Sequence, residues 1–559
     1  MIRNLLVMIF SVCVLFAGSL QAQSDTLEVP AETEGGDTYV NSLIDFVVAD
    51  TNDAGEQLHK VYKLTRGKFY VLDQAVDLRN PVHLVAAEPV ADDPEKTPPK
   101  ILSNTTADGG TATGNLINAW ADITIKNIWL GGMSLNGNTR GWGQGNALAV
   151  QDSFVTVNID GVWLDYNGWS AISTSQPHTS WFINDLHARN EQNPGDPWTT
   201  FLLYFEGANV LDSLVVRNST YFQSNSFFLF PPPVVQYMEI DHNAFVNILK
   251  WPFHETQWLD AKITNNIFYN VSALSLTENE EEGQDPDWLE FGLINVDTLA
   301  ANESDTLDAG PYTIPEDQRI FIVRNNVYYW SSEIQDYWAN NDSVKAAVWM
   351  NSRTQAMFDD DESYPNFIAE NNWNQDPQFN DFPELDEATQ LLADVCVSFR
   401  EGSMTQWDWD SDVDTYPELY EVMYEYPLAE DFRSYSGLTG TDGNPVGDLD
   451  YYPEDMVGIE IPGSELPAEF ALEQNYPNPF NPSTTIQYSV NEGGTINLAI
   501  YNLLGERVKT LVEGHVTPGQ YQVTWSGTDE TGSRVASGVY FYKLQRGSNT
   551  AIKKMVMMK

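Results

Sequence analysis

Cysteine is nearly absent. Among 559 residues only Cys13 and Cys396 are cysteines, and Cys13 lies inside an N-terminal apolar run. That excludes an internal disulfide framework, so an exported chain of this kind depends on packing, and on metal where it binds any, for its stability. Basic residues are scarce too, 28 against 80 acidic ones, for a formal net charge of −52. A surface this acidic repels nucleic acid and anionic membranes, and neither is expected as a partner. It suits a solvated extracellular protein able to hold divalent cations. The seven histidines include no His-x-x-x-His pair, and no cysteine pair completes a zinc site. No Gly-rich phosphate loop precedes a helix and no nucleophile-elbow phrase occurs. Long apolar runs are missing after the first 22 residues, so no transmembrane segment is expected once those are removed.

Those residues, 1–22, read as a signal peptide. Arg3 supplies the positive start, Leu5 to Phe16 the apolar core and Ala22 a small residue for cleavage. Residues 23–37, with Asp25, Glu28, Glu32 and Glu34 among small residues, read as a mobile acidic leader. The dominant pattern then follows. Ile240-Asp-His-Asn-Ala-Phe245 and Ile263-Thr-Asn-Asn-Ile-Phe268 share one phrase, aliphatic-x-x-Asn-x-aromatic, at a spacing of 23. It returns at Val323-Arg-Asn-Asn-Val-Tyr328 and Ile368-Ala-Glu-Asn-Asn-Trp373, with a partial copy at Val215-Val-Arg-Asn-Ser-Thr220. Earlier runs, Ile123 to Leu130 and Val157 to Leu164, align at a spacing of 34.

A short phrase recurring at a near-constant interval indicates stacked structural units. Alternation puts Met238 and Ile240 on one side and Glu239 and Lys262 on the other. The expected fold class is all-β: a right-handed parallel β-helix, a solenoid, followed by a small antiparallel β-sandwich. Asn after each strand tolerates a left-handed turn, and stacked turns would bring Asn243 close to Asn266. A propeller is excluded because a four-stranded blade needs about 40 residues. The phrases at Ile240 and Ile263 resemble the repeat of pectate-lyase-like β-helix proteins, over roughly residues 38–380. The resemblance implies a scaffold of the kind that binds or cuts acidic polysaccharides.

After Trp373 the period changes. Leu385, Ala388, Leu391, Leu392, Val395 and Phe399 follow a helical spacing that Gly402 ends. A second short helix is expected from Thr415, and residues 381–455 are read as a helical or irregular cap on the stack. Residues 456–467 are a Pro/Gly-punctuated linker. From 468 to 559 the charge is +1, which leaves −53 on the preceding chain. Short β-runs at Thr484–Val490, Ile496–Tyr501, Gln520–Trp525 and Gly538–Leu544 predict the sandwich. Asn475-Tyr-Pro-Asn-Pro-Phe-Asn-Pro482, Tyr501-Asn-Leu-Leu-Gly505, Trp525-Ser-Gly-Thr-Asp529, Ala536-Ser-Gly-Val-Tyr-Phe541 and the terminal Lys553-Lys-Met-Val-Met-Met-Lys559 carry a second resemblance. This domain is similar to the type A C-terminal sorting domain of the type IX secretion system. The resemblance implies an outer-membrane route, a secreted or cell-surface location and the type IX machinery as a partner.

The chemistry is less legible. A polysaccharide lyase needs a base to remove a proton beside a uronate carboxylate and a cation to stabilise the resulting charge. The candidate catalytic residues are Lys250, Arg217 and Arg324; the two arginines hold the same repeat position, just before the Asn turn. Trp251, His254 and Arg189 are candidates for substrate binding. The bland alternative is that these basic residues only pair with the many carboxylates nearby. Asp410, Asp412, Asp414 and Glu421 have the spacing of an EF-hand-like calcium loop, although Thr415 stands where that loop has glycine. Calcium is therefore the one cofactor expected. Trp129 and Trp163 share a repeat position and read as packing residues. Two functions follow: a protein that binds or cleaves extracellular polysaccharide, or a non-catalytic adhesion protein on the same scaffold.

Overall fold

A computed structural model describes residues 25–87, 97–106, 111–134, 145–189, 200–230, 234–253, 257–277, 292–296, 316–402, 432–449, 470–472, 478, 484–490, 494–502, 507–516, 519–525, 535, 538–546 and 549–557, apart from a few positions within those ranges. It is dominated by parallel strands stacked in register. Val210–Arg217, Val234–Asp241, Gln257–Thr264, Ile320–Arg324 and Phe367–Glu370 form successive steps of one ladder. A second ladder runs beside it through Thr220–Ser224, Ala244–Ile248, Ile267–Val271, Val327–Tyr329 and Trp373–Asn374. A third, of six strands, includes Leu148–Val150, Ser170–Thr174 and Phe201–Tyr204.

The register is the one the repeated phrase implies. Ile159, Ile183, Val216, Ile240, Ile263 and Val323 lie opposite one another, each at most 1% exposed. Each such side chain stabilises the fold by about 1.5–3 kcal/mol relative to an exposed one. Phe245 and Phe268 stack at 4.9 Å with ring planes 4° apart. The expected leader is not a free arm. Thr26–Glu28 pairs in parallel with Val61–Lys63 and Val29 is buried, because its alternation offers Leu27 and Val29 to the core.

The Asn-Asn pair divides two tasks that the sequence reading gave to one residue. The first position of each pair takes left-handed backbone: Asn218 (φ 45°), His242 (54°), Asn265 (60°), Asn325 (55°) and Asn371 (53°). The second position builds a buried amide ladder. Asn243 Nδ2 donates to Asn266 Oδ1 at 2.9 Å, Asn266 Nδ2 to Asn326 Oδ1 at 3.0 Å and Asn326 Nδ2 to Asn372 Oδ1 at 2.9 Å. The same nitrogens donate to the carbonyls of Val216, Ile240 and Ile263 at the strand ends. Turn groups that would otherwise be buried unpaired are thereby satisfied.

Among the described residues three α-helices follow. Helix α1 (Ser332–Ala339) and helix α2 (Ser352–Phe358) fill the gap between the last two copies of the phrase, which shows no clear helical period in the sequence. Helix α3 (Leu385–Arg400) is the one the spacing predicts, and Gly402 beyond it is left-handed at φ 77°. The outward face of the second ladder, including Val246, Ile267 and Tyr269, packs against Phe382, Leu385 and Phe432 from this C-terminal region. Residues 437–449 form a strap across the Asn turns: Thr441 N donates to Asn265 Oδ1 at 2.8 Å and Gly447 N to Asn265 O at 2.7 Å.

Beyond residue 470 the strands are antiparallel. Ala471–Leu472, Thr484–Val490 and Gly519–Trp525 form one sheet; Arg507–Val516, Gly494–Tyr501, Gly538–Arg546 and Asn549–Met557 form the other. Ile486, Tyr488 and Val490 of the first share a core with Leu498, Ile500 and Leu544 of the second. Asn478, inside the Pro/Asn-rich motif, accepts from Val556 N at 2.9 Å and so ties that motif to the final strand.

Candidate functional site

On the first ladder the side chains that alternate away from the core form a charged face. Its rows follow from the register: Tyr237 lies opposite Asp260, Glu239 opposite Lys262, and Arg217 opposite Asp241, which in turn lies opposite Thr264. All are partly exposed. Arg217 Nε donates to Glu239 Oε1 at 2.6 Å, and the Tyr237 hydroxyl donates to Glu239 Oε2. The Lys262 ammonium sits 5.2 Å from the Tyr237 ring centroid. Asp241 Oδ1 accepts from Thr264 Oγ1 at 2.6 Å and from Asn265 Nδ2 at 2.8 Å.

These surroundings drive two neighbouring carboxyls in opposite directions. Burial pushes Glu239 up, but the Arg217 charge and the Tyr237 hydrogen bond outweigh it and hold its pKa below the usual carboxylate range. Asp241 goes the other way: burial raises its pKa, Glu239 adds repulsion, and the offsets from His242 and Thr264 are smaller. Burial likewise raises Asp260. Burial and the Glu239 charge hold the Tyr237 hydroxyl far above its ordinary pKa, so that phenol stays protonated. One strand thus presents two carboxyls two residues apart, one with its pKa lowered and the other with its pKa raised, with a phenol and two cations around them.

The strap closes one edge of this face. His242, 3% exposed by side chain, places Nε2 3.2 Å from Asp442 Oδ2 and Nδ1 3.2 Å from the Gly447 carbonyl. Both partners are acceptors, so only the imidazolium satisfies both. Burial opposes that charge, but the Asp442 hydrogen bond and the charges of Asp241 and Asp442 prevail and raise the His242 pKa. Asp442 is correspondingly held down to about 2, its desolvation outweighed by its bond to His242.

The residues expected from the sequence are scattered. Arg217 lies in the face just described. Arg324 projects from the same row three steps on, where Nε lies 3.1 Å from Glu370 Oε2. Lys250 is fully buried, its ammonium 5.4 Å from the Trp251 ring centroid and 5.9 Å from that of Phe399 on α3. Trp251 is 5% exposed and packs with Phe201 and Leu276. Arg189 is 3% exposed, with Nε 3.3 Å from Asp165 Oδ2. Lys250, Trp251 and Arg189 therefore present no open face to a polymer, contrary to the sequence expectation, because packing covers them. His254, Asp410, Asp412, Asp414 and Glu421 lie outside the described residues. Among the described residues no three His, Cys, Asp or Glu side chains gather closely enough to hold a metal. Trp129 is fully buried, as a packing residue should be.

Sequence reasoning did not single out Tyr237, Glu239 or Asp260 as site residues. The usable signal was five ionisable side chains, Tyr237, Glu239, Asp241, Asp260 and Lys262, at alternate positions of two consecutive strands. A separate cleft of about 460 Å³ is lined by Trp330, Gln335, Trp338 and Asn374 among others. No ionisable side chain lines it, so it offers shape without acid–base chemistry.

Residues 474–558 match a family described as the secretion system C-terminal sorting domain, and this part of the chain is a type IX sorting domain. It marks the protein for secretion through the outer membrane and for interaction with the type IX machinery. No helix among the described residues is long and apolar enough to cross a membrane. No curated protein matches the chain. Among solved structures, dimeric latent PorU from Porphyromonas gingivalis is similar at 19% identity, over 16% of this chain and 10% of that one, with a TM-score of 0.15. The chain thus spans a small part of PorU, and the likeness is too slight to inform the fold or the site.

Proposed function

We propose that the stack winds as a right-handed parallel β-helix of the pectate-lyase-like kind and that the protein acts on extracellular polysaccharide at the Glu239–Asp241 face. The observation that carries this reading is a pair of carboxyls on one partly exposed strand whose surroundings shift their pKa values in opposite directions. Environments that push neighbouring titratable groups apart are how a single site obtains an acid and a base at one pH. In the reaction, Asp241 gives its proton to the glycosidic oxygen as the bond to the anomeric carbon breaks. Ionised Glu239 either attacks that carbon or takes a proton from the water that does. Lys262 flanks the pair as a hydrogen-bond donor to sugar hydroxyls, and the Tyr237 oxygen, whose proton goes to Glu239, is an acceptor for one.

Elimination at a uronate is the competing chemistry, with Arg217 as base. Its ion pair with Glu239 counts against it, since a guanidinium held by a carboxylate gives up no proton. That same pairing favours a second reading, a rigid adhesion protein that binds glycan and cuts nothing. Incubation of the secreted protein with neutral and uronate polymers, with and without Ca²⁺, separates the three. New reducing ends without ultraviolet absorbance support hydrolysis, and an unsaturated uronate chromophore supports elimination. Binding without product supports adhesion. Hydrolysis that survives both Glu239→Gln and Asp241→Asn would refute the assignment.

A further inference from the structure

Asn265 stands between the strap and Asp241. It is 2% exposed, and its backbone is left-handed at φ 60°. The Thr441 amide donates to its Oδ1 at 2.8 Å. A backbone N–H can only donate, so that bond fixes which way the side-chain amide faces. The amide nitrogen is turned the other way, where Nδ2 donates to Asp241 Oδ1 at 2.8 Å and to Thr441 Oγ1 at 3.2 Å. Two strands earlier, Asn218 makes the equivalent reach, Nδ2 to Asn184 Oδ1 at 3.0 Å, with no bond to the strap. There an amide, and no carboxyl, receives it.

The strap approaches closely because glycine stands at the points of contact. A Cβ on Gly440 would lie 2.8 Å from Asn265 Cγ and Oδ1, and one on Gly447 would lie 2.6 Å from Ile267 Cδ1. Asn325 Nδ2 donates to the Thr439 carbonyl at 3.2 Å, and Thr220 Oγ1 donates to buried Asp448 Oδ2 at 2.8 Å, so both ends are anchored. Asp241 Oδ1 also accepts from Thr264 Oγ1 at 2.6 Å, whereas its Oδ2 accepts no hydrogen bond among the described residues. Two donors on one oxygen leave the other as the place for a proton. The charged groups around this carboxyl are Glu239 and Arg217 from the ladder, His242 from the turn and Asp442 from the strap.

We propose that the strap acts on the Glu239–Asp241 site through Asn265, a positioning residue: it locks the amide so that an N–H meets Asp241 Oδ1, and Oδ2 is the oxygen that holds and delivers the proton. An undocked strap frees the amide to turn its own oxygen toward the carboxyl, which opposes the ionised form and draws the proton to Oδ1. The strap is thereby a control element for cleavage. That consequence rests on the catalytic role proposed for Asp241, whereas the orientation of Asn265 is testable without substrate.

The test uses the full secreted chain carrying isotope-labelled asparagine. The Asn265 side-chain amide, identified by its loss in Asn265→Asp, is followed by NMR through a pH titration. In the wild type its proton shift should follow a step centred above the ordinary aspartate value of about 3.9, and Asp241→Asn should abolish that step. Gly440→Ala, with folding checked by circular dichroism, forces the amide or the strap aside and should remove the step. Thr441→Ser keeps both bonds to Asn265 and should retain it. On a polymer that the wild type cleaves, Gly440→Ala should lower kcat about 10- to 100-fold with KM within about twofold. A wild-type amide that does not titrate, or a step that survives Gly440→Ala unchanged, overturns the proposal. A rise in KM alone makes the strap a wall of the binding face and overturns it too. Should Gly440→Ala not fold, Asn265→Asp decides. It tolerates the left-handed turn and keeps an acceptor for Thr441, but has no N–H to give. The basic limb of its pH–rate profile should move up, and an unmoved limb overturns the proposal. A wild type that cleaves no polymer removes the hydrolytic reading, and the amide titration still decides the role of the strap.

Discussion

Replacing His242 by Asn isolates the latch between the strap and the charged face. Asparagine already occupies the equivalent left-handed position at Asn218, Asn265, Asn325 and Asn371, so His242→Asn adds no backbone strain. It is too short to keep the contacts with Asp442 Oδ2 and the Gly447 carbonyl. Hydrogen bonds to a charged group contribute about 1.5–3 kcal/mol each when buried. The Asp442 side chain is 38% exposed, so solvent screening reduces its share. A loss of about 2–3 kcal/mol in strap docking follows, a 30- to 150-fold rise in the open fraction. The amides of Thr441 and Gly447 both donate to Asn265 and report that opening by hydrogen exchange. The pH dependence is specific. His242 has a raised folded pKa, so its stabilisation is complete below about pH 6.5 and is lost as pH rises through that raised value. Asp442 has a depressed one, so its share is complete above about pH 3.9 and is lost as pH falls toward about 2. Protection of the two amides, their exchange relative to the intrinsic rate at each pH, should therefore be greatest between those limits and fall as pH rises through the raised His242 value, and His242→Asn should abolish that fall. Equal protection across that range in the wild type, or an unaltered protection profile in His242→Asn, would refute the latch.

Asn266→Leu should cost about 3 kcal/mol or more, read from the urea midpoint, because it leaves the Ile240 carbonyl and the Asn243 amide without their ladder partner. Hydrolysis of a cleaved polymer should need Glu239 ionised and Asp241 protonated; its rate should fall below the depressed pKa of the first and above the raised pKa of the second. Asp241→Asn should lower kcat by about 10²- to 10⁴-fold. Cys396 is fully buried, and burial pushes its thiol far above the ordinary range; a thiol reagent should label the native protein only at the rate of unfolding. Calorimetric titration with Ca²⁺ should show a site that Asp412→Asn together with Asp414→Asn removes. An unchanged isotherm in that double variant would reject the loop at Asp410 to Glu421 as a calcium site.

Much of the scaffold was legible because its repeat uses a few residues for fixed physical reasons. Ile240 and Ile263 had to face inward by alternation, and an Asn pair after each strand had to serve a turn. Helix α3 and four strands of the C-terminal domain also showed in their spacing. Arg507–Val516 escaped because Glu513, Gly514 and His515 interrupt its apolar alternation. Helices α1 and α2 escaped because they are too short to display a period.

The sequence by itself determined the parallel stack, through a phrase whose interval sets which strands pair, and the export route, through motifs confined to one terminal domain. Tertiary structure decided the site. Whether a basic residue meets solvent depends on what packs over it, and nothing local to Lys250 reveals that α3 lies against it. Arg217 gained its meaning from Glu239, 22 residues away and one strand over. His242 gained its own from Asp442, 200 residues away. Register can be counted along a chain, but burial, and with it the opposed pKa shifts of Glu239 and Asp241, exists only once the strands, strap and cap have closed around them.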